Sequence, residues 1–181
     1  MANPAPDSLL VLGGARSGKS AYAERLARDS GLPVTYLATA QIADAEMAER
    51  IAVHRTRRPA HWQLREVGRD LAGALAEAAR PGHCVLVDCL TLWTAAWLCP
   101  PDGPAASPAA WAQAVKALDD VLRDPPGKII LVSNEIGMGV IPMGAMTRQF
   151  VDELGRLNQQ LAARCSRVCL MVAGIAVPVK G

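Results

Sequence analysis

The chain has 181 residues, 51% apolar and 20% charged, with a net charge of +2 at neutral pH. That balance excludes wholesale disorder, and so small a charge excludes a strong field drawing the chain to nucleic acid or a membrane surface. One Phe and two Tyr also leave little for a base-stacking surface.

The apolar runs fall far short of a membrane span. Residues 1–7 lack the basic-then-apolar order of a signal peptide and read as a short frayed tail, with residues 8–181 as a single domain. The five cysteines, Cys84, Cys89, Cys99, Cys165 and Cys169, contain no Cys-x-x-Cys pair. Reduced buried thiols in a cytoplasmic protein are therefore expected.

In chain order, Leu9 to Leu12 is a continuous apolar run, as in a strand covered on both faces. It leads into Gly13, Gly14, Ala15, Arg16, Ser17, Gly18, Lys19 and Ser20, which fit Gly-x-x-x-x-Gly-Lys-Ser. The helical run Ala21 to Ala27 follows and ends near Gly31-Leu32-Pro33. Strand, Gly-rich loop and helix in that order predict a phosphate-binding loop. Its backbone N–H groups form an anion nest at a helix N-terminus. Lys19 would reach the β- and γ-phosphates, and the Ser20 hydroxyl would ligate Mg²⁺. Arg16 reads equally as a second cation near the phosphates or as a solvated side chain.

Val34 to Ala38 predicts a second strand, placing Thr39, Ala40 and Gln41 at its carboxyl end, the edge where open α/β sheets hold ligands. Asp44 to about Arg57 reads as a helix with Met47, Ile51 and His54 on one face, stopped by Pro59. Val67 to Ala79 reads as a further amphipathic helix closed by Pro81-Gly82. Cys84 to Asp88 is an apolar run ending in a carboxylate, the form of a strand whose Asp holds Mg²⁺. Leu90 to Leu98 reads as a buried helix, Cys99 to Pro108 as a loop and Ala109 to Leu122 as a helix. Lys128 to Val132 is a strand leading into Ser133-Asn134-Glu135 and a loop through Gly137-Met138-Gly139 and Pro142. Thr147 to Arg164 is a long helix with Phe150, Leu154, Leu157 and Leu161 on one stripe. Val168 to Val172 and Ala176 to Val179 are closing strands around a turn at Gly174. The alternation predicts an α/β doubly wound sheet, mainly parallel, with an antiparallel pair at the C-terminus.

Beyond the phosphate loop and Asp88, the most informative stretch is His54-Arg55-Thr56-Arg57-Arg58. Surrounding cations favour a neutral imidazole, which is a nucleophile, and arginines can hold the phosphates it attacks. The residues alone favour the other reading, a helix-packing histidine beside a solvated basic turn. His61 and His83 are weaker candidates. Glu66 could bind a base or ribose or be an ordinary surface residue. Asn134 and Glu135 could orient substrate or simply form a turn.

The segments GGARSGKS, YLATAQ, DAEMAERIAVHRTRRPAHW, VLVDCLTLW, LVSNEIGMGVIP and RVCLMVAGI occur in this order. Together they closely resemble the bifunctional adenosylcobinamide kinase / adenosylcobinamide-phosphate guanylyltransferase family of cobalamin biosynthesis, from Leu9 to Lys180. The resemblance implies a RecA-like P-loop NTPase fold with helices on both faces of the sheet. It implies two reactions using ATP or GTP with Mg²⁺: phosphorylation of adenosylcobinamide, then transfer of GMP through a guanylyl-histidine to adenosylcobinamide phosphate, giving adenosyl-GDP-cobinamide. It places the guanylylated histidine on His54, reversing the reading from the residues alone. Family nucleotide contacts fall on Ala38, Thr39, Ala40, Arg55, Thr56, Arg57, Arg58, Glu66 and Asp88, beside the phosphate loop with its catalytic Lys19. Metal ligation falls on Ser20 and Asp88, and a homotrimer is implied. After Pro142 the chain departs from the family pattern, with Met143-Gly144-Ala145-Met146 in place of a more polar Glu-Asn pair. The alternatives are a P-loop small-molecule or nucleotide kinase without guanylyl transfer, and a nucleotide-dependent switch.

Overall fold

A computed structural model describes residues 7–40 and 59–181. In chain order these form β1 (Asp7–Gly13), α1 (Lys19–Asp29), β2 (Val34–Ala38), β3 (Gln63–Glu66), α2 (Leu71–Ala78), β4 (Cys84–Asp88), α3 (Leu90–Leu98), α4 (Pro108–Leu122), β5 (Lys128–Asn134), α5 (Ala145–Arg164), β6 (Arg167–Val172) and β7 (Ile175–Lys180). The strands make one seven-stranded sheet in the order β3-β2-β4-β5-β1-β6-β7. Every pairing is parallel except β6 with β7. The expected mainly parallel sheet with a C-terminal antiparallel pair is what the chain adopts.

Covering on both faces explains why the central strands are unbroken apolar runs. Alternate residues point to opposite sides, so each run serves two cores. Leu10, Leu37, Val85, Val87, Ile129 and Leu131 pack with the buried stripes of α2 to α5. Leu9, Val11, Val34, Tyr36, Leu86, Ile130 and Val132 face the other way, against Ala23 and Ala27 of α1 and Trp62. Alanines on α1 let that helix lie close to β4 and β5. On the opposite face the rings of Trp93 and Trp111 pack at a tilt of 48°, with centroids 5.1 Å apart, between α3 and α4. The predicted stripe on α5 buries Leu154, Leu157 and Leu161, with Phe150 half-buried at its start.

Local capping sets several boundaries. Ser107 caps α4 by accepting from the Ala110 N–H at 3.2 Å, with Pro108 at the first helical position. Asp70 caps α2 through the Gly73 N–H at 2.9 Å. This corrects the expected helix from Val67 to Ala79, because the cap starts the helix at Leu71. The residues just before it form β3, an edge strand absent from the sequence reading. Its four residues, Gln-Leu-Arg-Glu, are all exposed and carry no strand-like pattern; pairing with β2 is what makes them a strand.

β5 runs two residues further than expected, through Asn134, and α5 begins at Ala145. Asp7 belongs to β1 and not to the tail, its carboxylate bonded to Lys128 at 2.8 Å and Arg167 at 2.7 Å. The expected helix from Asp44 to Arg57 lies outside the described residues.

Helices α4 and α5 are tied by Arg164, which donates to both carboxylate oxygens of Asp119 at 2.6 and 2.8 Å. Asp119 is almost fully buried, and the Arg164 bonds outweigh burial to hold its carboxyl below the usual aspartate range. The stability it contributes is complete above the unfolded aspartate value of about 3.9 and is lost as pH falls through the folded value. In urea unfolding, Asp119→Ala should be markedly less stable than the parent at pH 7, and the gap should narrow below about pH 4. A gap that stayed constant with pH would contradict the ion pair.

Candidate functional site

At the carboxyl edge of β1 the chain turns through the phosphate loop into α1. Gly18, at the N-cap of α1, has φ +93°, a conformation that favours glycine. The loop lies directly against the C-terminal hairpin. A Cβ on Gly18 would come 3.3 Å from the Cα of Gly174, and the Gly174 N–H donates to the Ser17 carbonyl at 3.0 Å. A Cβ on Gly13 would sit 2.5 Å from Ser17 Oγ and 3.0 Å from both the Cβ and the carbonyl oxygen of Met171. Gly13 is thus required by closeness, whereas Gly14 has open space at that position. Ser17 Oγ is buried without a hydrogen-bond partner.

Lys19 is the first residue of α1, and its ammonium donates to the Gly14 carbonyl at 3.0 Å, closing over the loop. Burial lowers its pKa below the ordinary lysine value, with Cys89 and Asp88 opposing. A poorly hydrated cation beside a nest of backbone N–H groups is suited to a polyanionic ligand.

The parallel register gathers the next group of residues. Ala38 pairs with Glu66 on one side and Asp88 on the other, so the carboxyl ends of β3, β2 and β4 lie side by side. Ser20 Oγ donates to Asp88 Oδ1 at 3.4 Å, and the Tyr36 hydroxyl donates to Asp88 Oδ2 at 2.8 Å. One carboxylate oxygen is therefore fixed by Tyr36 while the other faces the phosphate loop. A hydroxyl and a carboxylate oxygen at this spacing are hard donors that fit a Mg²⁺ ion completed by water and phosphate. Thr39 anchors the connection after β4: its hydroxyl donates to the Cys89 carbonyl at 2.6 Å and accepts the Cys89 N–H at 2.8 Å. Burial pushes the Cys89 thiol up to about 11, so it stays protonated.

Of the expected site residues, the structure brings together Gly13 to Ser20, Ala38, Thr39, Ala40, Glu66 and Asp88 along one sheet edge. Arg16, in the same loop, is exposed with φ +55°. His54, expected as catalytic, and the expected contacts Arg55, Thr56, Arg57 and Arg58 lie outside the described residues. Among the weaker histidines, His61 is exposed in a turn. His83 is buried at the opposite end of the sheet, sharing a 2.9 Å hydrogen bond with Thr35. Its place before β4 removes it from the nucleotide edge. Glu135 accepts from the Gly137 N–H at 2.8 Å, and its own N–H donates to the Gly13 carbonyl at 3.0 Å. Tyr36 was missed by the sequence reading, since an aromatic residue inside a strand signals packing and only the fold brings its hydroxyl to Asp88.

The family model described as cobinamide kinase / cobinamide phosphate guanyltransferase matches residues 9–179. The chain belongs to this family. It is 53% identical over 172 residues to the bifunctional adenosylcobalamin biosynthesis protein CobP of Pseudomonas aeruginosa, covering 95% of this chain and 96% of that one. It is 41% identical over 181 residues to the bifunctional adenosylcobalamin biosynthesis protein CobU of Salmonella typhimurium, covering 95% and 99%. CobU of Escherichia coli is 42% identical over the same length and shares. Among solved structures, a Pyrococcus horikoshii OT3 protein superposes with a TM-score of 0.58 at 9% identity, covering 97% of this chain and 86% of that one. That likeness concerns the fold alone. The family is thus carried by sequence.

The two loop glycines separate steric from electrostatic roles. Gly13→Ala should weaken nucleotide binding about tenfold or more, the scale of overpacking a dense site. Gly14→Ala should stay within about threefold of the parent, because its Cβ meets nothing. Fluorescence titration with a labelled GTP analogue reads both. Equal losses would show that closeness to Met171 is not what requires Gly13.

Proposed function

We propose that this chain phosphorylates adenosylcobinamide with an NTP and then transfers GMP from GTP to adenosylcobinamide phosphate, giving adenosyl-GDP-cobinamide. The observation that carries the reading is the match of the family model to nearly the whole chain, joined to a phosphate loop that faces Asp88 across the sheet edge. The relatives' names also describe bifunctional adenosylcobalamin biosynthesis proteins.

In the first reaction the loop N–H groups and Lys19 grip the triphosphate. The acceptor hydroxyl oxygen attacks the γ-phosphorus, the bond from that phosphorus to the β–γ bridging oxygen breaks, and NDP leaves. This needs positioning and charge neutralisation more than covalent chemistry. Ser20 and Asp88 would hold Mg²⁺, which supplies neutralisation of phosphate charge when bound; Tyr36 keeps Asp88 oriented for that role. The base that receives the hydroxyl proton would be Glu135 or Asp88, and Asp88 is the one that would be holding metal.

In the second reaction the unprotonated ring nitrogen of His54 attacks the α-phosphorus of GTP, and pyrophosphate leaves. A phosphate oxygen of the acceptor then attacks the same phosphorus, the P–N bond breaks and neutral His54 is restored. The covalent intermediate splits one transfer into two displacements. The loop that neutralises a departing NDP in the first step would serve the leaving pyrophosphate in the second. Arg55, Thr56, Arg57 and Arg58 flank this histidine in sequence and would hold the nucleotide, with Ala38 to Ala40 and Glu66 contacting it along the edge. We read the protein as cytoplasmic and homotrimeric. Among the described residues no helix is long and apolar enough to cross a membrane.

Incubation with GTP labelled at the α-phosphorus should leave an acid-labile label on the protein, and His54→Ala should abolish it. Mass spectrometry should place a GMP-sized addition on the peptide holding Arg50 to Arg58. Active, folded protein without label would remove the guanylyltransferase half and leave a P-loop kinase. Asp88→Asn should weaken the Mg²⁺ dependence of nucleotide binding about tenfold, the scale of a lost charge-assisted interaction. Calorimetric titration with and without Mg²⁺ checks it, and an unchanged dependence would remove Asp88 from metal holding.

A further inference from the structure

The connection from β5 to α5 is apolar and turned outward. Met138, Val140, Ile141 and Met143 are all strongly exposed, Val140 and Met143 at 95%. So many exposed apolar side chains in one short stretch mark a binding surface. The loop is built and not loose. Its start is tied to the phosphate loop, because Asn134 pairs with Gly13 and the Glu135 N–H donates to the Gly13 carbonyl. Its far end is clamped by Arg148, whose guanidinium donates to the carbonyls of Pro142, at 3.0 Å, and Met143.

At the root of this loop lies an uncommitted polar group. Asn134 has both backbone groups engaged, its N–H on Thr91 Oγ1 at 2.8 Å and its carbonyl accepting from Asn158 Nδ2 at 3.0 Å. Its side-chain oxygen is buried without a hydrogen-bond partner. Passing outward from the phosphates, the exposed surface of this connection is the apolar lip.

We infer that this loop is the acceptor subsite: Met138, Val140, Ile141 and Met143 seat the apolar face of the large ring-bearing substrate. The inference rests on the proposed function and adds to it the place where the acceptor binds. The reason for this occupant is position. An alcohol attacking the γ-phosphorus must sit at the phosphate loop, and three extended residues from Glu135 to Met138 span only about 10 Å. The body of a bulky acceptor therefore falls within the lip's reach. Methionine side chains adapt to an irregular ring surface.

The test is steady-state kinetics on the full chain with adenosylcobinamide and GTP, together with light-scattering mass. In Met138→Ser/Ile141→Ser the KM for adenosylcobinamide should rise about tenfold, from the apolar area no longer buried. KM for GTP and the mass in solution should stay as in the parent. An unchanged adenosylcobinamide KM in the double variant would overturn the inference. A fall in mass or a parallel loss of GTP affinity would also overturn it, assigning the lip to contact between copies of the chain or to the nucleotide. If the parent itself gave no corrinoid product, the proposed function would fail, a result distinct from failure of the subsite.

Discussion

The nucleotide edge depends on how closely the phosphate loop approaches the C-terminal hairpin. Gly13 sits where any side chain would meet Met171 and Ser17, and Gly18 passes within contact of Gly174. The Gly174 N–H then bonds the Ser17 carbonyl. The last two strands are therefore more than an extension of the sheet. They form a floor that fixes the path of the loop, and the loop's path decides where its N–H groups point. Because β1 lies between β5 and β6, the same loop is also held from the other side by the bond from Glu135 to Gly13.

Parallel pairing does the rest of the assembly. When neighbouring strands run the same way, their carboxyl ends finish along one edge, and residues far apart in sequence become neighbours. Register places Glu66, Ala38 and Asp88 side by side, and Asn134 next to Gly13. Polar anchoring then sharpens what register begins. Tyr36 fixes one oxygen of Asp88, Thr39 fixes the chain after it, and burial keeps the Cys89 thiol protonated beside them. The apolar run preceding Asp88 gives the carboxylate a rigid mount.

Family membership joins this edge to two phosphorus chemistries. A single phosphate grip is compatible with both, because each reaction expels a phosphate-bearing group from the same triphosphate. What distinguishes them is the nucleophile. In the proposed reactions the alcohol would approach from the β5–α5 connection, and the proposed imidazole, His54, falls in sequence between β2 and β3.

The sequence by itself determined the elements whose signals are local. An unbroken apolar run or a Gly-Lys-Ser loop acts within a few residues, so β1, β2, β4, α3 and the phosphate loop were legible, and the motifs together named the family. Local signals could not show β3, because four exposed residues become a strand only when β2 pairs with them, nor the start of α2, where Asp70's cap overrides a pattern that continues back to Val67. Tertiary structure alone decided that Tyr36 holds Asp88, that His83 lies away from the site, and that Gly13 needs to be glycine. Each of those depends on contacts between distant strands, and a distance across a fold has no representation in the spacing of residues along a chain.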